Sequence, residues 1–516
     1  MGYVLRRPSS ALMRTALAFI AGAALAASFA PLNLWPLAVL APAVLMWLWQ
    51  DAPPREAARV GFWFSFATFA AGTYWLYVSI HGFGGAPIWI ALFLMLGLVA
   101  IMGLYQAALG YAVARFLPKS GAARWLIAMP AAWLLVEWWR GWFLSGFSWL
   151  SLGYSQTDSW LAAFAPLVGV YGISALLLVC AGALTALVCG GKRVRAAAAA
   201  TLIVPWVVGA ALYRHSWTHP TGPPVSVAIV QGAIPQDEKW QASNHEATLR
   251  LYQSLTEQVL GNALIVWPES ATADVANDLV PYINNIYREA RAQGSTLVMG
   301  VLRAEGDPAS PSALRYYNSV LALSDGRVSW YDKHHLVPFA EFFPVPSFVR
   351  AWMRLMSLPY SDFTAGGARQ PPLEAAHLQL GTTVCYEDAY GSSMLSVLPR
   401  ADALVNVTND AWFGHSSARH QHFQIARMRA LEAGRYMVRA ANDGISGVIG
   451  PHGEVVARAQ EFRPLTLVSR IVPHGGRTPY AYVGNWLVVS LATLALAYGV
   501  WVRNDRRWPR RAASGE

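Results

Sequence analysis

Up to Tyr213 the chain is a succession of apolar runs separated by short loops, and this alternation limits the fold more than any other feature. Runs of this length and apolarity fit a bilayer, where a segment must close its backbone hydrogen bonds on itself as a helix. The pattern predicts spans over Leu12–Ala30, Leu34–Trp49, Val60–Ser79, Ile88–Phe116, Trp125–Leu144, Trp160–Cys189 and Ala196–Tyr213, with one more near the end over Trp486–Val502. That makes about eight spans. A chain that is 55% hydrophobic and 13% charged fits this reading, since soluble domains carry about 25% charged residues.

Lys and Arg fall in alternate loops. Arg6, Arg7 and Arg14 precede the first span, Arg55 and Arg59 the third, Arg115, Lys119 and Arg124 the fifth, and Lys192, Arg193 and Arg195 the seventh. Arg503, Arg506, Arg507, Arg510 and Arg511 follow the last span. By the positive-inside rule both termini are cytoplasmic and the long segment before the last span is exterior. The formal charge of +10 is therefore explained by topology, and no nucleic-acid partner is expected.

From Pro220 to Arg477 acids, bases and strand-like runs replace the apolar stretches. The breaker cluster His219-Pro220-Thr221-Gly222-Pro223-Pro224 separates the seventh span from a strand at Val225–Gln231. β-rich runs at 263–267, 296–302, 318–323, 327–333, 377–385, 403–407 and 444–457 interleave with helical stretches near 245–260, 281–292 and 418–433. Two sheets flanked by helices are expected. The organisation is thus a membrane domain at 1–216, an exterior domain at 217–477, and a final span with a basic tail at 478–516.

Three strings in the exterior domain carry chemistry: IVWPES at Ile265–Ser270, YDKHHLVPFAE at Tyr331–Glu341 and TTVCYED at Thr382–Asp388. The first and third have apolar, extended lead-ins that end at Glu269 and Cys385, as when strand ends present reactive groups on a rigid sheet. Cys385 has no second cysteine in its domain, so it is either buried and inert or kept for reactivity. A thiol, an acid able to take its proton and a cation able to hold an oxyanion together make a nucleophile plausible. His415, His420 and His422 do not share one helical face and no acid or cysteine completes a zinc pattern, so no metal is expected.

The strings resemble the Glu-Lys-Cys triad of the nitrilase superfamily. FAEFFP, NDAWFG and the order of spans and domain resemble its apolipoprotein N-acyltransferase branch. The resemblance implies a polytopic helical membrane domain with an inserted nitrilase-like α-β-β-α sandwich. It makes Glu269 the general base, Lys333 the oxyanion cation, whose charge would also favour a Cys385 thiolate, and Cys385 the nucleophile. Glu341 would position the lysine or the substrate amine, and Tyr386 and Glu387 would structure the nucleophile turn. Trp240 matches an aromatic position the family needs, although an interfacial anchor explains it equally well. Asn409 and Asp410 are expected to be structural, and Glu137 is expected to pair with Arg140 near a membrane boundary.

The implied reaction needs no cofactor. A fatty acyl chain moves from a phospholipid, with phosphatidylethanolamine as the expected donor, to Cys385 as a thioester. It then moves to the N-terminal amine of a diacylglyceryl-cysteine apolipoprotein, in the inner membrane of a Gram-negative bacterium with the catalytic domain in the periplasm. A membrane-tethered nitrilase-type amidohydrolase is the alternative, and a transporter or receptor that has lost its chemistry is a third reading. A helix over Val345–Leu358 with Trp352 on its apolar face, together with Phe339, Phe342 and Phe343, is expected to gate lipid entry.

Overall fold

A computed structural model describes residues 7–307, 314–338, 340–342 and 363–505. The chain divides into two compact units, a helical one made of residues 1–215, 415–432 and 478–516 and an α/β one made of residues 216–414 and 433–477.

In the helical unit, helices cover Ala11–Ala26, Leu37–Leu48, Pro54–Gly72, Ile88–Phe116, Met129–Arg140, Ala165–Cys189, Lys192–Leu212 and Trp486–Asp505. Among the described residues, four helical segments are long and apolar enough to cross a bilayer: Ile88–Phe116, Trp160–Cys189, Lys192–Leu212 and Trp486–Asn504. Ala11–Ala26 and Leu37–Leu48 are apolar but shorter. The expected span over Val60–Ser79 lies instead on Pro54–Gly72, whose first turns hold Arg55, Glu56 and Arg59. Glu56 accepts from Arg7 and Arg14, so these charges are paired with one another. Glu137 and Arg140 act on each other electrostatically, as expected, but make no direct hydrogen bond. Arg140 donates to the carbonyls of Phe147 and Trp149, both at 2.7 Å, and Glu137 accepts from the Leu152 N–H.

A helix from mid-chain, Ala418–Ala433, belongs almost wholly to this unit. Its polar side chains close backbone groups that irregular segments leave open. Gln421 donates to the Gly72 carbonyl that ends one helix, at 3.1 Å. Gln424 accepts from the Ala30 N–H. Gly169 adopts φ +66° inside the Ala165–Cys189 helix, and Glu432 accepts from the following Val170 N–H at 2.7 Å. Apolar surroundings offer no water to such groups, so side chains must serve.

The α/β unit holds two six-stranded sheets. In chain order the strands are β1 Val225–Gln231, β2 Leu264–Val266, β3 Thr296–Glu305, β4 Arg315–Ser324, β5 Arg327–Asp332, β6 Leu373–Ala375, β7 Leu378–Val384, β8 Ala403–Thr408, β9 Met437–Ala441, β10 Gly447–Ile449, β11 Val455–Arg458 and β12 Leu465–Ile471. The first sheet runs β12-β1-β2-β3-β4-β5 and the second β11-β10-β9-β8-β7-β6. Each has three parallel strands at its centre, β1-β2-β3 in one and β9-β8-β7 in the other. Central parallel strands are buried on both faces and read as continuous apolar runs.

Alternation sorts the side chains. Val227, Ile229, Leu264, Val266 and Val298 pack with Val384, Val405 and Val407 in one core, so the two sheets face each other. Their neighbours Ala228, Val230, Ile265, Trp267 and Leu297 pack with Tyr252, Leu255, Ile283 and Ile286 of the His245–Glu257 and Val280–Ala292 helices. The expected β-rich run over 444–457 is two strands, β10 and β11, separated by the turn at Gly450-Pro451-His452-Gly453. β6, β9 and β12 are strands that no expected run covered.

Candidate active site

Glu269, Lys333 and Cys385 lie at the carboxyl ends of β2, β5 and β7, where open α/β sheets place their binding crevices. Pro268 stops β2, and the chain then crosses close above β3. A Cβ on Gly300 would come within 2.3 Å of the Pro268 carbonyl and 2.6 Å of the Glu269 Cα. Only glycine leaves that passage open.

The Glu269 carboxylate is buried and fully engaged. Its Oε1 lies 3.3 Å from Lys333 Nζ and accepts from Asn318 Nδ2 at 2.7 Å, while Oε2 accepts from the Asn409 backbone N–H at 2.8 Å. Lys333 also donates to Glu341 Oε1 at 2.9 Å, and Asn318 Nδ2 reaches that same oxygen at 2.9 Å. The other Glu341 oxygen accepts from the Val337 N–H, which closes the loop after Lys333. The Tyr386 ring lies 5.7 Å from Lys333 Nζ and its hydroxyl donates to the Leu336 carbonyl. Burial works against the charge on Lys333. The carboxylates of Glu341 and Glu269 outweigh it, so the Lys333 pKa is raised and the ammonium is permanent.

Cys385 opens a tight helical turn, Cys385–Ala389, with φ at +55°, a left-handed conformation that costs a non-glycine residue. Its surroundings fix the turn. The Cys385 carbonyl accepts from Asn406 Nδ2 at 3.0 Å. The buried Glu387 carboxylate accepts from the N–H groups of Val384, His334 and His335 and from the Tyr331 hydroxyl, tying the Cys385 turn to the segment that carries Lys333. Burial raises the Glu387 pKa, and the bonds from His335 and Val384 oppose that rise. The same turn is held through Asp388 by Arg439, which is wholly buried and also bonds Asp410 and Asn406.

The expected thiolate at Cys385 is not the resting state. Burial first, and the Glu269 charge second, hold the thiol well above its ordinary pKa, and Lys333 only partly offsets them. The protonated thiol is therefore the favoured form, with the Glu269 carboxylate among the charges that act on it.

Trp240 is half exposed. The residue before it, Lys239, is buried, and its ammonium donates to the Glu269 backbone carbonyl at 3.4 Å. Burial lowers its pKa to about 8, opposed by Glu269. Phe342 is half buried beside Glu341, and its N–H donates to Val337. Phe339, Phe343, Trp352 and the Val345–Leu358 segment lie outside the described residues. His420 and His422 lie on the Ala418–Ala433 helix, in the helical unit.

Asn318, Arg439 and Lys239 were not anticipated. Asn318 has a signal, an amide in a strand that runs on into the apolar Val320–Leu323, and Lys239 sits one residue from Trp240. Arg439 gave none, because a lone arginine between Val438 and Ala440 reads as a surface charge.

A family model described as the apolipoprotein N-acyltransferase N-terminal domain matches residues 21–183, and one described as carbon-nitrogen hydrolase matches residues 226–477. A Methylococcus capsulatus protein named apolipoprotein N-acyltransferase is 39% identical over 92% of this chain and 93% of its own. A Pseudomonas putida protein of the same name is 38% identical over 94% of this chain and 96% of its own. Among solved structures, the C. elegans NitFhit protein is 20% identical, covers 54% of this chain and 63% of its own, and has a TM-score of 0.37.

Proposed function

This chain belongs to the apolipoprotein N-acyltransferase family, and from that premise we propose that it moves a fatty acyl chain from a phospholipid through a Cys385 thioester to the N-terminal amine of diacylglyceryl-cysteine apolipoproteins. The observation that carries the reading is the arrangement of Lys333, held between Glu269 and Glu341 at the strand ends that also lead to Cys385.

In the first step Cys385 Sγ attacks the donor's ester carbonyl as its proton passes to Glu269. The carbonyl oxygen becomes an oxyanion opposite the permanent Lys333 ammonium. Collapse breaks the ester C–O bond, and the departing alkoxide of the lysophospholipid takes the proton back from Glu269. In the second step the acceptor amine attacks the thioester carbonyl as Glu269 receives an amine proton, and when the C–S bond breaks Glu269 passes that proton to the departing sulfur, returning the thiol and the carboxylate. The thioester divides an ester-to-amide exchange into two smaller barriers. A protonated resting thiol suits this scheme, because the nucleophile forms only when a carbonyl is present to attack. Phosphatidylethanolamine is the donor we expect.

The helical unit fits a protein whose two substrates both live in a membrane. About eight spans is our reading of the sequence, and the alternation of basic loops supports a topology in which the catalytic residues face the periplasm from the bacterial inner membrane. The amidohydrolase alternative is disfavoured, because relatives matching more than nine-tenths of the chain are named N-acyltransferases.

The test is peptide mass analysis of detergent-purified protein incubated with phospholipid. A hydroxylamine-labile fatty acyl adduct on the Cys385 peptide is expected, and it should disappear when a diacylated peptide acceptor is added. Transfer without any adduct, or with Cys385→Ala protein, would remove the nucleophile assignment.

A further inference from the structure

Lys239 is buried to 1% exposure, yet among the described residues it lacks the carboxylate partner that normally accompanies a buried ammonium. An ammonium carries three N–H donors. Among the described residues its one hydrogen bond runs to the Glu269 main-chain carbonyl at 3.4 Å, with no carboxylate within ion-pair distance, and its other near contact is the Trp240 ring, 5.9 Å from Nζ. A cation so poorly compensated is a burden on the fold.

The short helical turn that presents it, Gln236–Lys239, is wired to the same carboxylate from another direction. Gln236 Oε1 accepts from Asn409 Nδ2 at 2.8 Å, and the Asn409 backbone N–H donates to Glu269 Oε2 at 2.8 Å. The charged and titratable groups around Glu269 are therefore Lys333, Glu341 and Cys385 on one side and Lys239 on the other, with Asp410 near the thiol.

We propose that Lys239 is a positioning residue for the acyl transfer: a second cation that fixes the main chain of Glu269 and keeps its carboxylate ionised, ready to take a proton in both steps. Lys333 cannot do this alone, since it is shared with Glu341 and must turn toward the oxyanion when the thiol attacks. When that happens, Lys239 becomes the cation whose field is not diverted. Its lowered pKa, about 8, is what burial opposed by Glu269 would produce. This inference rests on Glu269 as the base, and the test separates the two.

The full chain in detergent would be compared as parent, Lys239→Met, Lys239→Gln, Glu269→Gln and the Lys239→Met/Glu269→Gln pair. Acyl-enzyme formation with phospholipid would be followed across pH 5–9 alongside the thermal midpoint. Both Lys239 variants should move the acid limb of the rate profile upward by about one pH unit, and so lower the rate below that limb by about tenfold. Neither should lower the thermal midpoint, because the change removes an under-paired buried charge. The double variant should be no slower than Glu269→Gln alone. An unmoved acid limb in both Lys239 variants would overturn the proposal. So would a fall in rate that is equal at every pH and accompanies a lower thermal midpoint, which means lost packing, or a further loss in the double variant, which means that Lys239 does not act through Glu269. If Glu269→Gln itself kept the parent's acylation rate, the base assignment would fail, and this inference with it.

Discussion

Two charge clusters meet at the turn carrying Cys385, and each holds a cation between two carboxylates: Lys333 between Glu269 and Glu341, and Arg439 between Asp388 and Asp410. The Arg439 cluster is sealed, with all three side chains at 0% exposure, whereas Glu269 and Glu341 keep 8% and 12%. A guanidinium has a fixed fork of donors that can bind several acceptors at once, as Arg439 does with Asp388, Asp410 and Asn406. An ammonium is a compact charge on a flexible stem that can change partners. The difference teaches which cluster is scaffold and which is machinery. On the proposed mechanism, the cation that must release a carboxylate to meet an oxyanion is the lysine, and the one that need not move is the arginine.

Swapping or deleting these groups can break the comparison. The largest effect is expected for Cys385→Ala, which should abolish the thioester, followed by Lys333→Arg, which keeps the charge but should slow thioester formation by at least ~10². Single-turnover assays on phospholipid vesicles would measure both, and near-parent acylation in Lys333→Arg would erase the distinction between the clusters. Arg439→Met should act on stability instead. It takes a buried cation away from two buried carboxylates and should cost about 3–5 kcal/mol, read as a shift of the denaturation midpoint, with acylation per folded molecule much less affected.

A smaller effect sharpens the electrostatics of the thiol. Since the Cys385 pKa is raised, iodoacetamide at pH 8 should react more slowly with it than with a free thiol, and the rate should climb as pH rises through the folded pKa. Glu269→Gln removes a charge that holds the thiol protonated, so it should speed alkylation several-fold while it slows acylation. Lys333→Met should slow alkylation. If Glu269→Gln slowed alkylation too, the carboxylate would be drawing the proton away even without an acyl donor.

What could be read from the sequence was what depends on local signals. Val225–Gln231 and Ala418–Ala433 have the expected bounds, the strand because the Pro-Gly breaker cluster before it and Gly232 after it mark its ends. Glu269, Lys333 and Cys385 stood out because each follows an extended run. The groups that hold them did not. Asn318 joins Glu269 to Glu341 across 49 and 23 positions, and Arg439 reaches back 51 to Asp388, so their meaning exists only once the strands are in register. Asn409 is expected to be structural, and its side chain does bond Gln236 and Asn442, but what it gives to Glu269 is its main-chain N–H, a group every residue but proline has and no side chain advertises. The direction of the thiol's pKa also escaped, because Lys333 was visible as a neighbour while burial was not.

The Ala418–Ala433 helix bears on how the protein can be divided. It lies within the stretch that reads as one exterior domain, yet its Gln421, Gln424 and Glu432 supply partners to Gly72, Ala30 and Val170 of the helical unit. A fragment ending at Tyr213 and resumed at Thr478 would leave these main-chain groups in apolar surroundings with nothing to replace the lost bonds. Expression of the two halves as separate genes should therefore rescue neither unless residues 415–432 travel with the helices. The boundary that matters for dissection is thus not a linker in the sequence. It is a helix that one module encodes and the other needs.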